Sequence, residues 1–165
     1  MRLVAFLLLG MACAPRGEAV PPAENAGNTE SSGQAVITLE RTACFGGCPV
    51  YRIWASADGK VGYEGRAHVR RVGAATGEVP AQRIRSLLSE LERAGYFSFA
   101  NRYTSAEPTC GRYATDSPSA ITSVRIDGKT KRIEHDYGCG AAPGALVVLE
   151  QRIDEVLNSG RWTGR

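Results

Sequence analysis

Five cysteines and two histidines are the residues of this 165-residue chain best suited to covalent or metal chemistry. Setting Cys13 aside leaves Cys44, Cys48, Cys110 and Cys139. In an exported chain an even set of this kind reads as two disulfides. The run Cys44-Phe45-Gly46-Gly47-Cys48 separates two thiols by four positions with two glycines between them. Glycine lets the backbone fold tightly enough to bring those sulfurs together. Cys110 and Cys139 lie in loop-like stretches and are expected to pair with each other, although three connectivities are formally open.

The other chemistry open to these thiols is metal or redox work. C-x-x-x-C before Pro49, with His135 elsewhere, resembles the CxxxCP site of extracytoplasmic copper chaperones of the Sco type, where soft thiolates and an imidazole suit Cu(I). No thioredoxin-like succession of strands and helices surrounds the pair, so the expected role is structural and neither metal nor cofactor is expected. A zinc site from all four cysteines is the weaker alternative. The spacings G-x-S-x-G, H-E-x-x-H and G-x-x-x-x-G-K-[ST] are absent. His68 and His135 are expected on the surface of strands. Asp116, Asp136 and Asp154 could meet as acid and base, but Asp116 before Ser117-Pro118 suits a turn and Asp154 a helix surface.

The N-terminus supplies an address. Arg2 is followed by an apolar run over residues 3–9, too short to span a bilayer and long enough to direct export. Gly10-Met11-Ala12-Cys13 resembles the lipobox of bacterial lipoproteins, with the customary leucine displaced to Leu9. The resemblance implies a signal peptide over residues 1–12 and acyl chains, palmitate among them, on Cys13. Ala14 is not the aspartate that retains such proteins at the inner membrane, which implies the outer membrane, facing the periplasm. Residues 14–33 carry three prolines, no aromatic side chain and one valine. With Cys13 they are expected to form a disordered tether, 13–33, because so little apolar surface cannot offset the entropy of ordering. Twenty basic against 17 acidic residues give a net charge of +3, too mild to point to nucleic acid. The expected partners are the membrane, through the lipid, and an envelope protein or anionic envelope polymer.

Residues 34–163 must then form one domain, with 43% hydrophobic residues in the chain to build its core. Alternation predicts strands over residues 35–41, 50–56 and 61–64, with Asp58-Gly59 as a type I′ hairpin turn. Residues 67–72 read as one more strand, an edge by its cations. Pro80 opens a helix with Ile84, Leu87, Leu88 and Leu91 on one stripe, and Gly95 ends it. Strands over 120–126 and 129–137 flank Asp127-Gly128, and a helix follows over 145–157. A hairpin followed by a helix thus occurs twice, which fits common economy of design as well as duplication. The expected class is α+β: a largely antiparallel sheet of five to six strands with two amphipathic helices on one face.

Leu39-Glu40-Arg41, the run ACFGGCPVY over residues 43–51, the hairpin DGKVGYEG, Thr115-Asp116-Ser117-Pro118 and residues 149–154 with Trp162 resemble a bacterial family. It is the domain-of-unknown-function family numbered 6438, with the hallmark CFGxCPxY. The resemblance implies a small exported domain, often lipid-anchored, and no established reaction. Cys110 and Cys139 fall outside the family pattern and make sense only together, which argues for pairing them and leaving the hallmark pair to each other. Two contact surfaces follow. One is the hallmark loop, with Phe45, Gly46, Gly47, Pro49 and Tyr51. The other is a cationic edge of Arg66, His68, Arg70 and Arg71, suited to anions, for which the simpler role is to keep strands of other molecules from pairing. The function expected is therefore non-enzymatic display of a stapled binding or structural domain.

Overall fold

The computed structural model describes residues 35–165; Cys13, the export segment and the tether lie outside the described residues. Seven strands form one sheet in the order β4-β3-β2-β1-β6-β7-β5. They are β1 (Ala35–Arg41), β2 (Val50–Ser56), β3 (Lys60–Ala67), β4 (Gly73–Glu78), β5 (Arg102–Tyr103), β6 (Ser119–Ile126) and β7 (Lys129–Asp136). All neighbours run antiparallel except β5, which lies parallel to β7. The class is α+β, with seven strands in place of five to six.

Period-two alternation decides which face is buried. Ile37 and Leu39 of β1, Tyr51, Ile53 and Ala55 of β2, and Val61 and Tyr63 of β3 point one way and are buried. Ala120 and Val124 of β6 and Ile133 of β7 join them. Two helices cover this face. Helix α1 (Ala81–Arg93) contributes Ile84, Leu87 and Leu91, and α2 (Gly144–Leu157) contributes Leu146, Leu149, Ile153, Val156 and Leu157. Burying each such side chain contributes about 1.5–3 kcal/mol. A last short turn of helix, α3 (Gly160–Thr163), brings Trp162 back over the sheet.

The two hairpins use different turns. Ile126 pairs with Lys129, and both residues between them have positive φ, 49° at Asp127 and 77° at Gly128: a type I′ turn as expected. The first hairpin is longer. Gly59 donates its N–H to Ser56 O at 3.0 Å and alone has positive φ, so the loop is a type I turn closed by a left-handed glycine. The expected type I′ turn at Asp58-Gly59 is therefore corrected.

The stretch read as a cationic edge strand is not one. The chain leaves β3 at Ala67, and His68 takes a φ of 53° to begin a tight reversal. Arg70 and Arg71 then donate their backbone N–H groups to Thr163 O and Trp162 O, tying the reversal to α3. The edge strand is β4, whose Gly- and Ala-rich sequence carries no strand signal. Cations at this reversal mimic in sequence the charged edge of a sheet.

Candidate functional site

Six polar side chains meet under α2, at the end of the sheet where β1 leaves for the hallmark loop. Arg41 ends β1, Tyr51 begins β2 beyond the loop, and His135 and Tyr137 end β7 and the segment after it. Glu150 and Asp154 stand one turn apart on α2. Arg41 donates from Nε and Nη2 to Asp154 Oδ2 at 3.1 and 2.8 Å, and from Nη1 to the Tyr137 hydroxyl at 2.5 Å. The Tyr51 hydroxyl donates to Asp154 Oδ1 at 2.5 Å. The Tyr137 hydroxyl donates to Glu150 Oε2 at 2.7 Å, and His135 Nδ1 lies 3.0 Å from Glu150 Oε1. One continuous clasp thus joins β1, β2, β7 and α2.

Burial makes these bonds strong and their loss expensive. Glu150 and His135 are 1% and 2% exposed. Burial works against the charge on Arg41, but the Asp154 carboxylate and the tyrosine oxygens outweigh it, so its pKa is raised. Burial, with Asp154 beside it, raises the Tyr51 phenol. Burial also pushes Tyr137 up to about 12, Arg41 opposing and Glu150 assisting. A phenol whose folded pKa lies above its unfolded value stabilises the fold below pH 10 and loses that contribution as pH rises towards the folded value. Alkaline titration of phenolate absorbance should therefore show Tyr51 and Tyr137 ionising late, Tyr137 near pH 12 and together with unfolding. Both groups titrating freely near pH 10 would show the clasp to be open.

The hallmark loop rises directly from the clasp. Cys44 and Cys48 are joined by a disulfide, and Cys110 and Cys139 by a second. The zinc set of four thiols does not assemble, since each sulfur is consumed by its partner. Phe45 donates its N–H to Asp116 O at 3.0 Å, and Arg165 donates from Nη2 to Gly47 O at 2.6 Å. Beneath the loop Tyr51 stacks on Tyr63 at 5.7 Å, and Tyr63 on Trp162 at 4.8 Å between ring centroids. Above it the Phe45 ring is 88% exposed. Pro49 is half-buried and Tyr51 is buried, so of the five expected contact residues Phe45, Gly46 and Gly47 form the tip and Pro49 and Tyr51 its footing.

The remaining candidates separate. His135 is buried against Glu150, not on a strand surface, and Asp154 is the clasp's partner to Arg41, not a free helix charge. Asp136 accepts from Tyr113 OH and Gly138 N–H, and Asp116 from the Thr115 hydroxyl. These partners do not join the three aspartates into an acid–base pair. Arg66 leaves the supposed edge set for the open face of the sheet, pairing with Glu40 at 2.6 Å and approaching Glu64 at 3.7 Å. On that face Arg52, Arg125, Arg132, Glu40 and the Thr38 and Ser123 hydroxyls border a shallow groove of about 340 Å³.

Glu150 was missed in the sequence, and signals for it existed. His135 shares the parity of Ile133 and so must point inward, and Glu150 lies on the stripe of Leu146, Leu149 and Ile153.

The neighbouring segments LER and ACFGGCPVY supply Arg41 and the stapled loop with Tyr51, and residues 149–154, far along the chain, supply Glu150 with Asp154; Trp162 stacks in behind. No curated protein matches the chain. A family profile, domain of unknown function (DUF6438), matches residues 35–157, the whole sheet and both long helices, and the chain belongs to that family.

Proposed function

We propose that this protein is a non-enzymatic, lipid-anchored envelope protein that displays a disulfide-stapled domain for binding. Cys13 carries the lipid, residues 13–33 give reach, and the domain from residue 34 onward presents the hallmark loop to an envelope protein or an anionic envelope polymer. Attachment is at the outer membrane, facing the periplasm. The observation that supports this reading is the Phe45 ring, a large apolar side chain 88% exposed on a loop held by a disulfide and two backbone anchors. A rigid exposed aromatic is what a binding surface offers and a folding core avoids. Two disulfides in a small domain fit an oxidising compartment.

Two substitutions test the two halves of the proposal. Cys13→Ser should move the protein from the membrane to the soluble fraction without changing its melting temperature. Phe45→Asp should leave folding and membrane attachment intact while abolishing capture of the partner from envelope extract. A Cys13→Ser protein still recovered in membranes would contradict the anchor.

A second reading draws on the surface position of the Cys44–Cys48 pair: thiol-redox or copper-binding work in the periplasm. The imidazole first considered for such a site, His135, is held under α2 by Glu150. Native protein with a pair readily opened by mild reductant, and with bound copper, would favour this reading over display.

A further inference from the structure

The two edges of the sheet are finished differently. β5 is two residues long and begins with Arg102, the kind of short charged edge that resists pairing. β4 runs six residues, Gly73-Ala74-Ala75-Thr76-Gly77-Glu78, with no proline or lysine and its one charge at the far end. Among the described residues no strand lies on its outer side. Val79 donates its N–H to Gly59 O at 2.9 Å, towards β3. The alternation of an antiparallel ladder then turns Gly73, Ala75 and Gly77 to β3, and the N–H and C=O groups of Ala74, Thr76 and Glu78 outward. Arg71 agrees with this parity, since its Nη2 donates to Ala74 O at 3.3 Å and takes one of the outward groups.

A second observation lies beside this edge. On the helix-bearing face the Arg161 guanidinium stacks on Trp162, 3.8 Å from the ring centroid. It packs so closely on Gly77 that a Cβ built there would fall 2.3 Å from Nη2. Its Nε and Nη2 are buried with no hydrogen-bond partner, and burial lowers its pKa. Two buried guanidinium nitrogens without an acceptor are costly, and a carboxylate is the group that would relieve them.

A strand added along β4 would bring one of its side chains to the position facing Gly77, on the same sheet face. Cross-strand neighbours stand about 4.5–5.5 Å apart, so that side chain would lie beside Arg161. We propose that the outer edge of β4 binds an extended segment of a partner protein as an eighth strand, with an acidic side chain of that segment pairing with Arg161. The site is separate from the Phe45 tip and could be lost without it. A second copy of this chain fits less well. Paired residues share a face, so an antiparallel copy would offer Arg161 only Gly73, Ala75 and Gly77, leaving its Glu78 on the open face.

The test uses the full chain and a labelled synthetic peptide alternating threonine and valine with one central glutamate, read by fluorescence anisotropy. Saturable binding is expected. The glutamine version of the peptide, which changes nothing in the protein, should bind about tenfold more weakly, as should Arg161→Gln, with no further loss when the two are combined. Thr76→Pro removes an outward N–H while sparing the β3 ladder and should abolish binding, whereas Thr76→Ala should retain it. No saturation at millimolar peptide, or equal binding by Thr76→Pro, would overturn the proposal. So would a wild-type dimer in sedimentation that Thr76→Pro dissolves, which would give the edge to a second copy.

Discussion

Asp154→Ala should cost about 3 kcal/mol of folding stability, a large share of the roughly 5–15 kcal/mol of an ordinary domain. The alanine leaves Arg41, with its side chain only 15% exposed, without its carboxylate, and takes the carboxylate acceptor from the Tyr51 hydroxyl. Breaking a buried pair from one side costs about 3–5 kcal/mol; the 20% exposure of Asp154 argues for the lower end. The double variant Arg41→Met/Asp154→Leu removes both charges and should recover the part of the loss that comes from the unpaired Arg41 charge, since a matched apolar pair can replace a buried ion pair, while the Tyr51 hydroxyl still lacks the carboxylate. Denaturant melts of the two single variants and the double variant complete the cycle. A loss below about 1 kcal/mol for Asp154→Ala would reduce the clasp to an ordinary surface ion pair.

The second large effect concerns the Cys110–Cys139 bond. It closes a span of 29 residues between the loop after β5 and the loop before α2. On the chain-entropy account such a closure contributes about 3–4 kcal/mol, and the Cys44–Cys48 closure of four residues about 2. Replacing Cys110 and Cys139 together with alanine should therefore lower the melting temperature by more than the matching change at Cys44 and Cys48. Local structure agrees with the larger role. Cys110 and Cys139 are 2% and 4% exposed and belong to the core, and Ala141 N–H reaches Cys110 O at 3.0 Å. Calorimetry of the two double variants compares them directly. The opposite order would mean that the hallmark staple, not the long one, secures the fold.

How much of this was legible from the residues depended on whether a local signal existed. The pairing of the cysteines followed from two glycines between Cys44 and Cys48 and from the departure of Cys110 and Cys139 from the family pattern. Ile84, Leu87 and Leu91 announced α1 by spacing alone, and Asp127-Gly128 announced its turn. β4 was invisible because Gly73, Ala74 and Ala75 have no apolar alternation to read; that strand exists because β3 offers it a ladder. The cations from Arg66 to Arg71 were visible but misleading, since their backbone geometry is set by α3, far along the chain. The clasp was the hardest feature. Arg41, Tyr51, His135, Tyr137, Glu150 and Asp154 come from three distant stretches, and only the fold brings them together. Arg41, Tyr51, Glu150 and Asp154 fall in segments that carry the family resemblance, whereas His135 and Tyr137 do not, and nothing local in the sequence says that the six belong together.

That reason gives the hallmark loop its physical meaning. Tyr51 follows the loop and anchors to Asp154, Arg41 precedes the loop and anchors to the same carboxylate, and the disulfide fixes what lies between. Both ends of the loop are thereby set on α2, and the Phe45 tip is held out with little freedom to lose on contact. Preorganisation of this kind raises affinity by lowering the entropy cost of binding.

Export underlies the proposed function, because oxidised sulfurs and the proposed lipid on Cys13 both depend on it. Mass spectrometry of the unreduced protein from its native cell envelope tests it most directly. The expected species begins at Cys13, carries the mass of attached acyl chains and has no titratable thiol. A polypeptide retaining Met1, with Cys44, Cys48, Cys110 and Cys139 all free, would contradict it.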